Sequence, residues 1–367
     1  MTANHQPGTG DVAQAYFKQR RFLQAARDDW HNPGWKRRSQ QMMMILAMVG
    51  AVLFLWTPPV VAASTITEFH VSNVGVPQGI TAGSDGNLWF TEFYDNVAGR
   101  ITTKGTSTLF TLNTMNSATY ITNGPDGALW LTLLNDVGGS TTNQIGRLTT
   151  NGRLTTFKVP KASYIWDITT GSDGKLYFTD GASRVWRVTT KGQFTAFPFK
   201  DSTGGYPYQI TKGPDGNLWF TDRARLIVKM TPSGQFTTFT VPTSNAATDD
   251  ITTGPDGNLW FTLDSSDVSR IGRITTSGKI TLFTFPSTGN DYLYLSGITA
   301  GPDGNLWFTY QDFTTNASAI GRITTSGTIT LKPTPTANSS PTDITAGPDG
   351  AMWFTEAIGN IGRITTS

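Results

Sequence analysis

The 367-residue chain contains no cysteine. That excludes disulfides, thiolate metal sites, a cysteine nucleophile and a lipid-modified cysteine anchor. Histidine is nearly as scarce, with only His5, His31 and His70. Charge is sparse, at 15% of residues, and unevenly placed. Residues 1–63 carry seven Lys/Arg against three Asp, whereas the remainder carries 21 basic and 23 acidic residues. The bulk of the protein is therefore near neutral and lacks the basic footprint of a nucleic-acid binder.

What the front end does have is one apolar run. Residues 42–56, MMMILAMVGAVLFLW, hold no charge, with WKRRS before them and PPVVAAS after. A signal peptide needs a short apolar core of roughly 7–15 residues and a small-residue cleavage site. Val61-Ala62-Ala63 before Ser64 fits such a site. A membrane anchor needs about 20 apolar residues, which this run reaches only by counting through Pro58 and Pro59. The 41 residues in front are long for a signal peptide and favour an anchor, and both readings stay open. In either case Arg37 and Arg38 mark the cytoplasmic side and the chain that follows is extracytoplasmic, anchored or secreted. Residues 11–31 place Val12, Tyr16, Leu23, Ala26 and Trp30 near one helical face. A solvated basic tail is preferred here over a helix lying on anionic lipid.

The remainder is a repeat array. GPDGNLWFT starts at Gly213, Gly254 and Gly301, and looser copies start at Gly83, Gly124, Gly171 and Gly347, seven in all. The starts lie 41 to 47 residues apart, a period that points to propeller blades. One copy, residues 251–286, reads as four strands. Ile251–Thr253 leads into a Gly-Pro-Asp-Gly turn, then Asn258–Thr262, Arg270–Thr275 and Ile280–Phe285 follow. Four antiparallel strands in about 43 residues make one blade. The expected fold is all-β, a seven-bladed propeller over residues 64–367, preceded by a basic segment (1–41) and the signal or anchor (42–63). The last copy ends before a fourth strand, but Thr65–Val71, TITEFHV, resembles Lys279–Phe285, KITLFTF. The N-terminal strand is thus expected to complete the last blade and close the ring.

Residues repeated in every blade serve every blade. The tryptophan or tyrosine after the turn is expected to fill the wedge between blades. The turn aspartates (Asp85, Asp126, Asp173, Asp215, Asp256, Asp303, Asp349) are read as turn chemistry rather than a metal ring. Chemistry that happens once must sit where the copies differ. One variable position lies two residues before the strand isoleucine: Gln78, Thr119, Trp166, Tyr208, Asp249, Ser296, Thr342. The other lies fourteen residues on: Glu92, Leu133, Asp180, Asp222, Leu263, Tyr310, Glu356. A hairpin brings both to one end of the blade, where they are expected to form a rim around the channel. Glu92 with Glu356, and Asp180 with Asp222, fall on neighbouring blades and could hold a hard cation or share a proton. Blades three and four add Tyr164, Trp166, Tyr206 and Tyr208, with Arg223 and Arg225 close behind. That patch suits a flat or amphipathic small molecule or peptide. The plainer alternative is aromatic rings capping the channel over solvated acids.

The repeat GITAGPDGNLWFT from Gly297, with IGRITT and ITLFTFP, resembles the virginiamycin B lyase (streptogramin B lyase) family over residues 65–367. The resemblance implies a seven-bladed propeller, a magnesium cofactor, and ring opening of cyclic depsipeptide antibiotics by elimination at an ester bond. It implies histidine acid/base groups just before the Gly-Ile-Thr strand and a glutamate at the end of a WFTE strand. The glutamate survives at Glu92 and Glu356; no blade has histidine at the other position, and His70 falls on the closing strand. A ligand-binding monomer is therefore the first expectation. An active magnesium-dependent lyase using Glu356, Glu92 and Tyr310 is the second, and a metal-dependent lactonase-like hydrolase the third.

Overall fold

A computed structural model describes residues 64–114, 116–135, 142–200, 204–243, 246–265, 269–285 and 293–366. The expectations for residues 1–63 lie outside them. The described residues form one unit, Ser64–Ser367, and none of them is helical. Seven antiparallel sheets follow in chain order. Blade 1 is typical, with inner strand Pro77–Ala82, then Leu88–Glu92, Val97–Ile101 and outer strand Ser107–Thr111. The inner strand of blade 6 is split into Leu293–Tyr294 and Ile298–Ala300.

The repeated GPDGNLWFT segment builds the same corner in each blade. In blade 5 the Trp260 indole nitrogen donates to Asp256 Oδ1 at 3.0 Å, and the Asn258 amide donates to the same oxygen at 3.2 Å. The Arg273 guanidinium lies 5.5 Å from the indole centre and 3.7 Å from the Asp256 carboxylate. Two glycines are required there. A Cβ on Gly254 would lie 2.4 Å from the indole, and Gly257 has φ +72°. Burial acts to raise the Asp256 pKa, but the hydrogen bonds from Trp260 and Asn258 outweigh it and hold the carboxyl below its ordinary value. The turn aspartates are therefore structural anchors. Trp89, Trp130, Trp219, Trp260 and Trp353 are fully buried.

The ring closes as the sequence predicts. Ile66–His70 pairs antiparallel with Asn360–Ile364 as the outer strand of blade 7. Phe69 stacks on Trp353 at 5.6 Å and fills the space over Gly105 of blade 1, where a Cβ would lie 2.2 Å from its ring. Val71 and Val74 join Leu88, Phe90, Trp353 and Ile361 in a core shared by blades 7 and 1. His70 contacts Asn360 on this outer strand, 3.2 Å from Nδ1 to Oδ1. Phe69→Ala should lower stability by about 2 kcal/mol, the scale of one large apolar side chain. Deleting residues 64–71 should lower the melting temperature much further, because it also strips the outer strand from blade 7 and uncovers the edge of Asn360–Ile364. A thermal melt unchanged by the deletion would refute closure.

Candidate functional site

The inner strands do not run smoothly. In blades 1 to 5 and 7 the register with the second strand slips just before the strand isoleucine. The first variable position sits in this bulge, and bulges re-aim side chains at the ends of sheets. The repeated threonine of WFT holds it. Thr221 Oγ1 accepts from the Gln209 amide of its own blade at 3.1 Å and donates to the Asp249 carbonyl of the next blade at 2.6 Å. Thr179 donates likewise to the Tyr208 carbonyl at 2.5 Å. The bulges of blades 1, 2, 4 and 5 are thus fixed from two blades.

Blades 3 to 5 converge on one cluster. Trp166 stacks near-parallel with Tyr164 at 6.2 Å and with Tyr206 at 6.0 Å, and meets Tyr208 edge-on at 5.2 Å. The Arg223 guanidinium lies over the Tyr208 ring at 4.8 Å. Its Nη1 is 3.3 Å from Asp249 Oδ1. Tyr120, from blade 2, reaches across, with its hydroxyl 3.4 Å from that of Tyr208 and accepting from Gln209 Nε2 at 2.8 Å. Tyr164 is 40% exposed and Asp249 only 1%. Burial raises the pKa of Tyr120, Tyr206 and Tyr208, so these phenols keep their protons. Burial also raises Asp249 against the opposing pull of Arg223. Burial works to lower Arg223, but Asp249 and the nearby phenols outweigh it and hold the guanidinium charged. The close approach of the two groups marks them as an ion pair. Of the expected ligand-binding residues, Trp166, Tyr208, Arg223 and Asp249 are therefore brought together. Gln78 lies in the bulge of blade 1, where its carbonyl accepts from Thr355.

The second variable position does not form a rim. Its threonine neighbour faces the next blade, so by strand alternation the residue itself faces the preceding one. Glu92 is fully buried and accepts from the backbone amides of Val76, at 2.9 Å, and Asp95. Asp180 is fully buried and accepts from the Ala182 amide, Arg184 Nε and Trp186 Nε1 at 2.8 to 3.0 Å. Asp222 caps its turn through the Ala224 and Leu226 amides. Tyr310 stacks on Phe285 at 5.4 Å, between blades 5 and 6. Glu356 is fully buried near Ser339, Glu68 and Asn360, and burial together with the Glu68 charge raises its pKa. The expected pairing of acids is thus corrected. Glu356 faces blade 6 and Glu92 faces blade 7, so the sheet of blade 7 separates them; the sheet of blade 3 separates Asp180 from Asp222. Nor does Tyr310 stand beside Glu356. A hard cation needs ionised oxygens free to coordinate. Glu92 is occupied by backbone donors and the sheet of blade 7 lies between it and Glu356, so the two do not fit one magnesium ion. Among the described residues no group of three or more His, Asp or Glu could hold a metal.

Three other acids went unnoticed in the sequence. Asp167, Asp250 and Asp343 stand immediately before the strand isoleucine in blades 3, 5 and 7. Each accepts from the next residue's amide at 2.7 Å (Ile168, Ile251, Ile344). Each also accepts from the following blade, from Ile210, Ile298 and Ile80 at 3.0, 2.7 and 2.8 Å. Three carboxylates thereby satisfy one inner-strand amide in each of six blades. The recurring Asp-Ile-Thr of alternate blades was the available signal. Burial, opposed by these amides, raises Asp167 to about 7 and Asp343 to about 6. Asp250 is raised by burial and by the charges of Asp343 and Asp167. A folded-state pKa above the unfolded value of 3.8 means the native state binds the extra proton between the two values. Stability then falls as pH rises from about 4 to 7 and levels above that. Asp167→Asn should flatten the slope of melting temperature against pH between about pH 4 and 7; an unaltered slope would contradict this.

The comparisons with known proteins agree with this geometry. The virginiamycin B lyase family profile matches residues 64–247, 136–289 and 222–367. A solved streptogramin B lyase is 31% identical, covers 82% of this chain and 97% of its own, and superposes with a TM-score of 0.72. Virginiamycin B lyase from Staphylococcus aureus is 32% identical over 83% of this chain and all of its own, with a TM-score of 0.74. The extracellular domain of a hybrid two-component system from B. thetaiotaomicron is 15% identical, covers 83% of this chain and 43% of its own, and has a TM-score of 0.62; it shares the fold alone. No curated protein matches the sequence. With the profile running through all seven blades and two full-length structural relatives above 30% identity, the chain belongs to the virginiamycin B lyase family.

Proposed function

We propose that this protein is an extracytoplasmic, ligand-binding member of its family that does not perform the histidine-based ring opening. The observation that carries this reading is the occupancy of the seven bulge positions. They hold Gln78, Thr119, Trp166, Tyr208, Asp249, Ser296 and Thr342, with no histidine, while three of them converge with Arg223 into one aromatic and charged cluster. Elimination needs a base for the α-proton and an acid or metal at the leaving carboxylate. The phenols of the cluster hold their protons, Asp249 is tied to Arg223, and Glu92 and Glu356 are buried between blades. A relative supports the separation of binding from catalysis. A catalytically inactive histidine-to-alanine variant of virginiamycin B lyase from Staphylococcus aureus has been solved with quinupristin. The lactonase-like alternative loses its motive with the acidic pairs. The extracytoplasmic placement rests on the apolar run 42–56 and on Arg37 and Arg38 before it.

The test is incubation of the purified protein with magnesium and quinupristin, read by chromatographic retention and mass. Elimination opens the ring without changing the mass. The expected outcome is unaltered substrate at high protein concentration. A shifted peak of unchanged mass that EDTA abolishes would establish a lyase that works without bulge histidines and overturn the proposal.

A further inference from the structure

We infer that the strand closing the ring carries a pH-sensitive latch: Glu68 and Glu356 share one proton in the wall between blades 6 and 7, and losing it loosens the closure.

The strand register brings the two carboxyls to one face. Asn360 lies between Glu356 and His70, and the neighbouring Gly362 lies between Phe354 and Glu68. Directly opposed residues share a face, and on this one Phe354 packs against Trp307 and Ile320 of blade 6. Glu356 is fully buried, and neither of its carboxyl oxygens receives a donor hydrogen from the fold. The Ser339 hydroxyl beside it donates to Thr334 at 3.1 Å. Glu68 is half-buried and well supplied. One of its oxygens accepts from the Thr336 amide at 3.0 Å and the other from the Thr336 hydroxyl at 2.5 Å.

That contrast assigns the proton. A carboxylate has no donor hydrogen and a carboxylic acid has one, so two carboxyl groups in contact can bond only if one of them stays protonated. Glu68 has donors on both oxygens and serves as the acceptor. Glu356 is buried without donors, and a buried group in that state neutralises rather than ionises. Burial and the Glu68 charge raise the Glu356 pKa to about 8 against the opposing pull of Ser339 and Asn360. Other charged or titratable groups turned to this wall are His70, 3.2 Å from Asn360, and, from blade 6, Lys332 and Arg322. Arg322 is paired with Asp303 at 2.8 Å.

The position of Glu68 makes the proton matter to the fold. Its strand, Ile66–His70, is five residues long and pairs with one neighbour only. Ionising Glu356 sets a second negative charge against Glu68 inside the wall. The folded value lies above the ordinary 4.5, so the closed ring holds the extra proton between about 4.5 and 8. The stabilisation is complete below that window, falls as pH rises through it and levels above it.

The experiment is hydrogen exchange of the full-length protein in detergent, at about pH 6 and about pH 8, each corrected for the intrinsic rate at that pH. Opening of Ile66–His70 is read against Leu129–Leu134 of blade 2, so that global unfolding cancels. The expected result is a relative opening at least about tenfold more frequent at the higher pH, where linkage allows at most about tenfold per pH unit. Glu356→Gln is neutral at every pH and should abolish the rise. Glu68→Gln removes the charge and offers an amide donor, so it should abolish the rise as well, and it decides the matter alone if Glu356→Gln does not fold. No rise in the unaltered protein, or a rise that persists in these variants, would overturn the inference. A rise lost only in His70→Gln would assign the titration to the histidine and overturn it too.

Discussion

Both faces of every blade are covered by its neighbours, and that constraint governs where a functional group can stand. Side chains on the second strands point into walls between blades, whereas the outer strands are largely exposed. Only the bulge and edge of the inner strand open onto the channel. Glu92 and Glu356 end the same WFT strand that carries the Thr91 and Thr355 bonds to the following blade, so their carboxyls turn the other way into a dry wall. A WFTE strand is therefore no guarantee of an accessible glutamate. Its environment, not its type, decides whether it can act as a base.

The inner strands raise a second problem, because their amides line a channel with no further strand to pair. Asp167, Asp250 and Asp343 solve it by clamping blades in twos: 3 with 4, 5 with 6, and 7 with 1. An odd blade is left over. In blade 2 the corresponding residue is Tyr120, whose hydroxyl instead reaches Gln209 and Tyr208 of blade 4. The leftover of a sevenfold ring thus joins the candidate site. Asymmetry in the clamp and asymmetry at the rim have a common origin.

The fold was legible because its signals repeat. Seven copies of a turn that must contain two glycines, and of a tryptophan that must reach its aspartate, leave few alternatives. Closure was legible because Phe69 repeats an outer-strand pattern. The site was legible only in part. Trp166, Tyr208 and Asp249 stood out as residues that change from blade to blade while holding a fixed place. The second variable position misled because sharing one end of a hairpin is not sharing one face, and a single residue along a strand reverses the face. The same one-residue step hid Asp167, Asp250 and Asp343, which neighbour the position that was singled out.

The distribution of these residues bears on how binding and chemistry separate in such a ring. Repeated residues keep the scaffold intact whatever happens in the bulges, since Thr221 bonds to the backbone of Gln209 and Asp249 and not to their side chains. A bulge side chain can therefore change without loss of the fold. In this chain the bulges of blades 3 to 5 carry large rings and one acid paired with Arg223. None of them is poised to take a proton, because the phenols are held neutral by burial and the one acid is paired with Arg223.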